Sequence, residues 1–178
     1  YKRDTIYRII RLNESGDIMS VTASIDVQLA RRNNKKISAL QLINTFISGN
    51  WRVLDNGKIT YLPLGDHDYF DWQSDEINIK ELTEIVNKKE ACGELVGLEL
   101  LWDTTDIGGH LLIHSELNFS FSIIINRKEL NSLNNDRVTD INWYVERIIV
   151  LLKNSDYIVE SFSFNELCVS HNASLIIP

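Results

Sequence analysis

The sequence predicts an α+β fold: a mostly antiparallel sheet with about three helices, built as a single domain over residues 1–178. Three observations lead there. Residues 19–29, MSVTASIDVQL, alternate strictly between apolar and polar, the period of a strand with one buried and one wet face. Two later segments open on helix-capping pairs, and a third repeats apolar residues at helical spacing. The remaining strand-like runs follow one another through short turns, so hairpins outnumber parallel crossovers and the helices are expected on one face.

In chain order, TIYRIIRL (5–12) reads as a strand and NESGD (13–17) as a turn whose side chains bond their own backbone. With 19–29 they make an antiparallel hairpin. The first helix covers about 38–48. Ser38 and Gln41 form its capping box, Ala39, Leu42, Ile43 and Phe46 its apolar stripe, and Gly49 its left-handed end. WRVLDNGKITYLPL (51–64) then reads as a hairpin reversing at Asn56-Gly57. The second helix covers about 79–91, capped by Asn78 and Glu81, stapled by Ile77 on Leu82 and ended by Gly93. Its inward residues are Ile79, Leu82, Ile85 and Val86. LVGLELLW (95–102), HLLIH (110–114) and LNFSFSIII (117–125) are strands, with Gly108-Gly109 permitting a turn or bulge. The third helix covers about 140–153 on Ile141, Tyr144, Val145, Ile148, Leu151 and Leu152. YIVESFSF (157–164) closes as a strand, followed by a short apolar piece, SLIIP.

Composition narrows the function classes. Lys and Arg number 18 against 25 Asp and Glu, a net charge of −7, so the chain gains little from phosphate and nucleic acid is not expected as a direct ligand. The one basic cluster, RRNNKK at 31–36, reads as a solvated loop. No apolar run approaches the ~18 residues that span a bilayer, and no helix has the basic face of a membrane-surface element. Cys92 and Cys168, the only cysteines, show no metal or redox spacing; both are expected as buried thiols in a cytoplasmic protein. The chain begins at Tyr1 with no Met, which leaves a preceding segment open.

Catalytic signatures are missing. The chain has no G-x-S-x-G elbow and no phosphate-binding glycine loop. His110 and His114 have the spacing of a zinc helix, but the residues around them read as strand. Four strand positions set them roughly 13 Å apart, too far for one ion. WDTTD (102–106) places Asp103 and Asp106 after a buried strand, where catalytic loops often sit; its plainer reading is a polar turn. A hydrolase or nuclease using Asp103, Asp106 and His110 is the enzymatic alternative. No cofactor is expected.

The most unusual stretch is GDHDYFDWQSDE (65–76). Asp66, Asp68, Asp71, Asp75 and Glu76 interleave with Tyr69, Phe70 and Trp72, and no Lys or Arg occurs between Lys58 and Lys80. A calcium loop starting at Asp66 fails, because Phe70 and Asp71 fall where an oxygen ligand and a Gly are needed, and Ile77 falls where the Glu belongs. His67 alone cannot build a zinc site. Aromatic rings among like charges suit a protein-facing surface instead. A solvated edge with buried rings would give the same letters.

In texture over the whole chain, FDWQSDE, LLWDTTDIGG and TDINWYVERIIVLL resemble bacterial immunity proteins of contact-dependent growth inhibition and related polymorphic toxin systems. The resemblance transfers no functional residue. It implies a non-enzymatic protein that binds a cognate toxin domain, a basic protein and often a cationic nuclease, and covers its active site or substrate surface. Under that reading Asp66, Asp68, Asp71, Asp75 and Glu76 meet the toxin's cations, Tyr69 and Trp72 anchor, and Asp103 and Asp106 form a second patch. A regulatory adaptor that binds a host protein is the remaining alternative.

Overall fold

A computed structural model describes residues 10–12, 18–31, 36–67, 69–130 and 138–170, with backbone alone for 10–12, 18–22 and 167–170. The alternating segment forms β2 (Ile18–Ala30), and β1 (Ile10–Leu12) runs antiparallel to it, Arg11 opposite Met19. The turn expected at 13–17, the strand start at 5–9 and the final SLIIP piece lie outside the described residues. Ala23, Ile25, Val27 and Leu29 are buried while Ser24, Asp26 and Gln28 stay partly exposed, so the period of two does set the faces.

The first helix, α1 (Ala39–Ser48), begins on the expected box: Ser38 Oγ accepts the Gln41 N–H and Gln41 Oε1 accepts the Ser38 N–H. Its end differs from expectation. Gly49 has φ −91° and the positive φ of 70° falls on Asn50. Gly49 is required by space instead, because a Cβ there would lie 2.4 Å from the Leu151 side chain. Strands β3 (Trp51–Arg52), β4 (Leu54–Asp55) and β5 (Lys58–Tyr61) follow, with Asn56 and Gly57 at φ 49° and 82° in the β4–β5 reversal. The acidic segment contains an unforeseen strand, β6 (Gln73–Asp75), paired with β5.

Asn78 and Glu81 cap α2 (Ile79–Cys92) reciprocally, and Gly93 ends it at φ 69°. Leu82 and Val86 are buried, but Ile79 is 55% exposed. Ile77, just before the cap, takes the place at the core edge expected of Ile79. Cys92 is exposed rather than buried, since it follows the last inward turn of the helix; the Cys168 side chain is outside the described set.

Strands β7 (Val96–Trp102), β8 (Gly108–Ser115) and β9 (Asn118–Ile125) form a meander, with a register shift between Gly108 and His110, at the glycine pair expected to permit a turn or a bulge. The third helical run starts as α3 (Ile141–Val145), widens to a π-helical segment (Glu146–Val150) and ends as α4 (Leu151–Asn154). Within the widened segment the Arg147 carbonyl accepts the Trp51 indole N–H at 3.1 Å, and consecutive Ile148 and Ile149 are both buried. The last strand, β10 (Ile158–Ser170), pairs along β2 and runs beyond the expected 157–164.

The strands order as β1-β2-β9-β8-β7-β5-β4, with β10 on β2, β3 on β7 and β6 on β5. All these pairings are antiparallel, as the α+β prediction requires. The inward faces of β2, β7, β8 and β9 meet Leu42, Ile43 and Phe46 of α1, Leu82 and Val86 of α2, and Tyr144, Ile148 and Leu152 in one hydrophobic cluster. Phe46 sits at its centre, 5.8 Å from Phe119 and 6.2 Å from Trp51 between ring centroids. Burial pushes the Tyr144 phenol up to about 12, although its oxygen accepts the Lys128 N–H.

Candidate functional site: the acidic loop

Leu62, Leu101 and Leu112 are also buried, yet they lie outside that cluster. They belong to the sheet's opposite face, where the chain from Leu62 to Trp72 folds back over β7 and β8. Gly97 makes room for it. A Cβ on Gly97 would lie 2.5 Å from Leu62 Cδ1 and 3.0 Å from Trp72 Cη2.

Three sets of contacts hold this loop. At its base stands Lys89, 1% exposed, whose Nζ donates to the Pro63 carbonyl at 2.6 Å and to Glu94 Oε2 at 3.0 Å. Glu94 Oε2 also accepts the Gly65 N–H at 2.9 Å. The Gly65 N–H first, then Lys89, hold the Glu94 carboxyl below the usual glutamate value. In the middle, Asp66 is 6% exposed, and its two oxygens accept the N–H groups of Phe70 (3.0 Å) and Asp71 (2.8 Å). Those bonds stabilise a tight coil in which His67 and Phe70 take φ of 48° and 59°. At the far end the Trp72 ring stacks on His110 at 3.8 Å, and His110 Nε2 lies 3.7 Å from Glu99. The β6 pairing continues the hold: Tyr61 donates to Asp75 Oδ2 at 3.1 Å, and burial first, then Asp75, raises the Tyr61 phenol above its ordinary value.

This geometry sorts the residues expected to meet a partner. Asp66 is corrected to a loop-holding residue, because its carboxylate is buried and bonded to its own loop. Trp72 is half-buried, with its ring stacked on His110. Asp68 lies outside the described residues. Tyr69 is 82% exposed, and Asp71, Asp75 and Glu76 are exposed beside it in sequence. The side chains of Asp71 and Glu76 make no ion pair or hydrogen bond among the described residues.

The second patch is built differently. Asp103, at φ 50°, and Asp106 stand exposed on the β7–β8 turn. The Arg52 guanidinium donates to the carbonyls of Asp103 (2.7 Å), Leu54 (2.8 Å) and Thr105 (3.0 Å) and to the Asp55 carboxylate (3.0 Å). A second guanidinium, Arg147, lies 4.8 Å from the ring centre of Trp102, the residue just before the turn. His110 is not turned toward these acids; it packs between Trp72 and Glu99. His114 Nε2 meets Ser120 Oγ at 2.7 Å, and neither histidine joins the other. Among the described residues no three His, Cys, Asp or Glu side chains gather closely enough to share a metal ion. No described helix is long and apolar enough to cross a membrane.

Sequence reasoning missed Lys89, Glu94, Leu62 and His110 as parts of this assembly. One signal was present: Gly97 breaks an otherwise bulky strand at a position pointing away from the core, which marks a close approach from that side. Comparison with protein-family models, curated proteins and solved structures gives no significant match.

Proposed function

We propose that this chain is an immunity protein. It binds a cognate bacterial toxin domain, a basic protein such as a cationic nuclease, in the cytoplasm, and blocks the toxin's active site or substrate surface without doing chemistry itself. The supporting observation is a loop tied down at both ends and in its middle, which presents Tyr69 with the carboxylates of Asp71, Asp75 and Glu76. An exposed ring on a pre-ordered backbone suits a binding anchor, because little ordering entropy is lost on association. Exposed acids on the same stretch of chain steer a cationic partner and oppose an acidic one.

The test takes as partner a basic toxin domain, sought first in the gene adjacent to that for this chain. Binding of the purified pair is measured at two ionic strengths. Tight binding that weakens as salt rises is expected; no binding, or hydrolytic activity of the chain alone that Asp106→Ala abolishes, would refute the reading.

A further inference from the structure

An open, shallow depression of about 370 Å³ on the loop is lined by Leu64, Asp66, Tyr69, Phe70 and Asp71, with Pro63 and Gly65. Its chemistry is mixed in a particular way. Leu64 is 49% and Tyr69 82% exposed, so an aliphatic wall and a ring face are open to solvent. Asp66 is turned to the backbone, and among the described lining residues Asp71 is the carboxylate without a side-chain hydrogen bond or ion pair. Lys89 sits beneath the loop and is occupied by Pro63 and Glu94. A neutral apolar guest would leave Asp71 unanswered, and an anion would be repelled by it.

We propose that this depression receives an arginine side chain projecting from the basic partner. The inference rests on the protein-binding reading above and names the group the loop recognises. The methylene stem covers Leu64, and the planar guanidinium lies on the Tyr69 ring and pairs with Asp71. Arginine fits better than lysine, because a planar, weakly hydrated cation both stacks on a ring and forks to a carboxylate, whereas an ammonium keeps its water. The depression is already formed without a guest, since its shape is set by the Asp66 bonds and the Lys89–Glu94 base.

The test needs no toxin, so its outcome is separate from that of the functional reading. The uniformly ¹⁵N-labelled chain is titrated with acetyl-Gly-Arg-Gly-amide, and in parallel with the same peptide carrying lysine or the neutral isostere citrulline. The arginine peptide is expected to give saturable shifts at the amides of Leu64, Gly65 and Tyr69–Asp71. Citrulline and lysine peptides should bind at least about threefold more weakly. Tyr69→Ala and Asp71→Asn should each weaken the arginine peptide by a similar factor, while Tyr69→Phe keeps it. Absence of saturable shifts, equal response to citrulline or lysine, or indifference to both weakening substitutions would overturn the proposal.

Discussion

Two acidic segments invite comparison, the loop at 65–76 and the turn at 103–106. Both carry exposed carboxylates, and both place a residue other than glycine at positive φ. They differ in where the cations stand. Under the loop, Lys89 is buried and spent on the loop's own backbone and Glu94, so the surface acids keep their field. Beside the turn, Arg52 lies at its carbonyls and Arg147 on Trp102, so positive charge accompanies the acids. The lesson is that acid count does not locate a cation-seeking surface. What matters is whether the compensating charge is beside the acids or sealed below them.

Lys89→Met attacks the loop's side of this comparison hardest. Breaking a buried pair by removing one partner costs about 3 kcal/mol, which in a domain of this size lowers Tm by roughly 6–12 °C. Hydrogen exchange should show the loss concentrated at Gly65–Asp71, with the 103–106 turn unchanged; uniform loss would mean that the loop is not an independently held unit. Asp66→Ala removes a charged acceptor from two backbone donors and is expected to cost about 2 kcal/mol, read as faster exchange at the Phe70 and Asp71 amides. Arg52→Ala is the matching test on the turn. Its contacts are more exposed, so about 1 kcal/mol is expected in chemical denaturation, with loop protection intact.

Acid should separate the two regions as well. The folded-state pKa of Glu94 is depressed, so its contribution is present above the usual glutamate value and is lost as pH falls through the folded value. Protection of the Gly65 amide should fall in that acid range before the β7–β8 turn responds. The smallest effect on stability is expected from Asp71→Lys with Glu76→Lys, within about 0.5 kcal/mol, because both side chains are solvated and unpaired. That near-silence makes the pair a clean probe of function.

Much of the scaffold was legible because its determinants are local. The strict alternation in β2, the Ser38–Gln41 and Asn78–Glu81 caps and the Asn56-Gly57 reversal are each written within a few residues. Gly49 shows the limit: a glycine at a helix end suggests a left-handed cap, yet here it answers the distant Leu151 side chain. The loop was legible in its exposed half and not in its structural half. Tyr69 and Asp71 are exposed, whereas the contacts of Asp66 and Trp72 depend on turns and stacking that no periodicity encodes. Lys89 sits one turn beyond Val86 on the buried stripe, and the Pro63 carbonyl and Glu94 make its burial tolerable. The π-helical widening at 146–150 is likewise answered by the indole of Trp51, far away in sequence.

The most direct test of the proposed loop interface is survival of cells that express a basic toxin domain found to bind this chain, together with variants of this chain. The Asp71→Lys, Glu76→Lys variant should fail to protect at expression levels where the wild type protects fully, and the Asp103→Lys, Asp106→Lys variant should protect nearly as well as wild type. Full protection by the loop variant, with wild-type binding and unchanged salt dependence, would contradict the assignment of the acidic loop as the partner-binding surface.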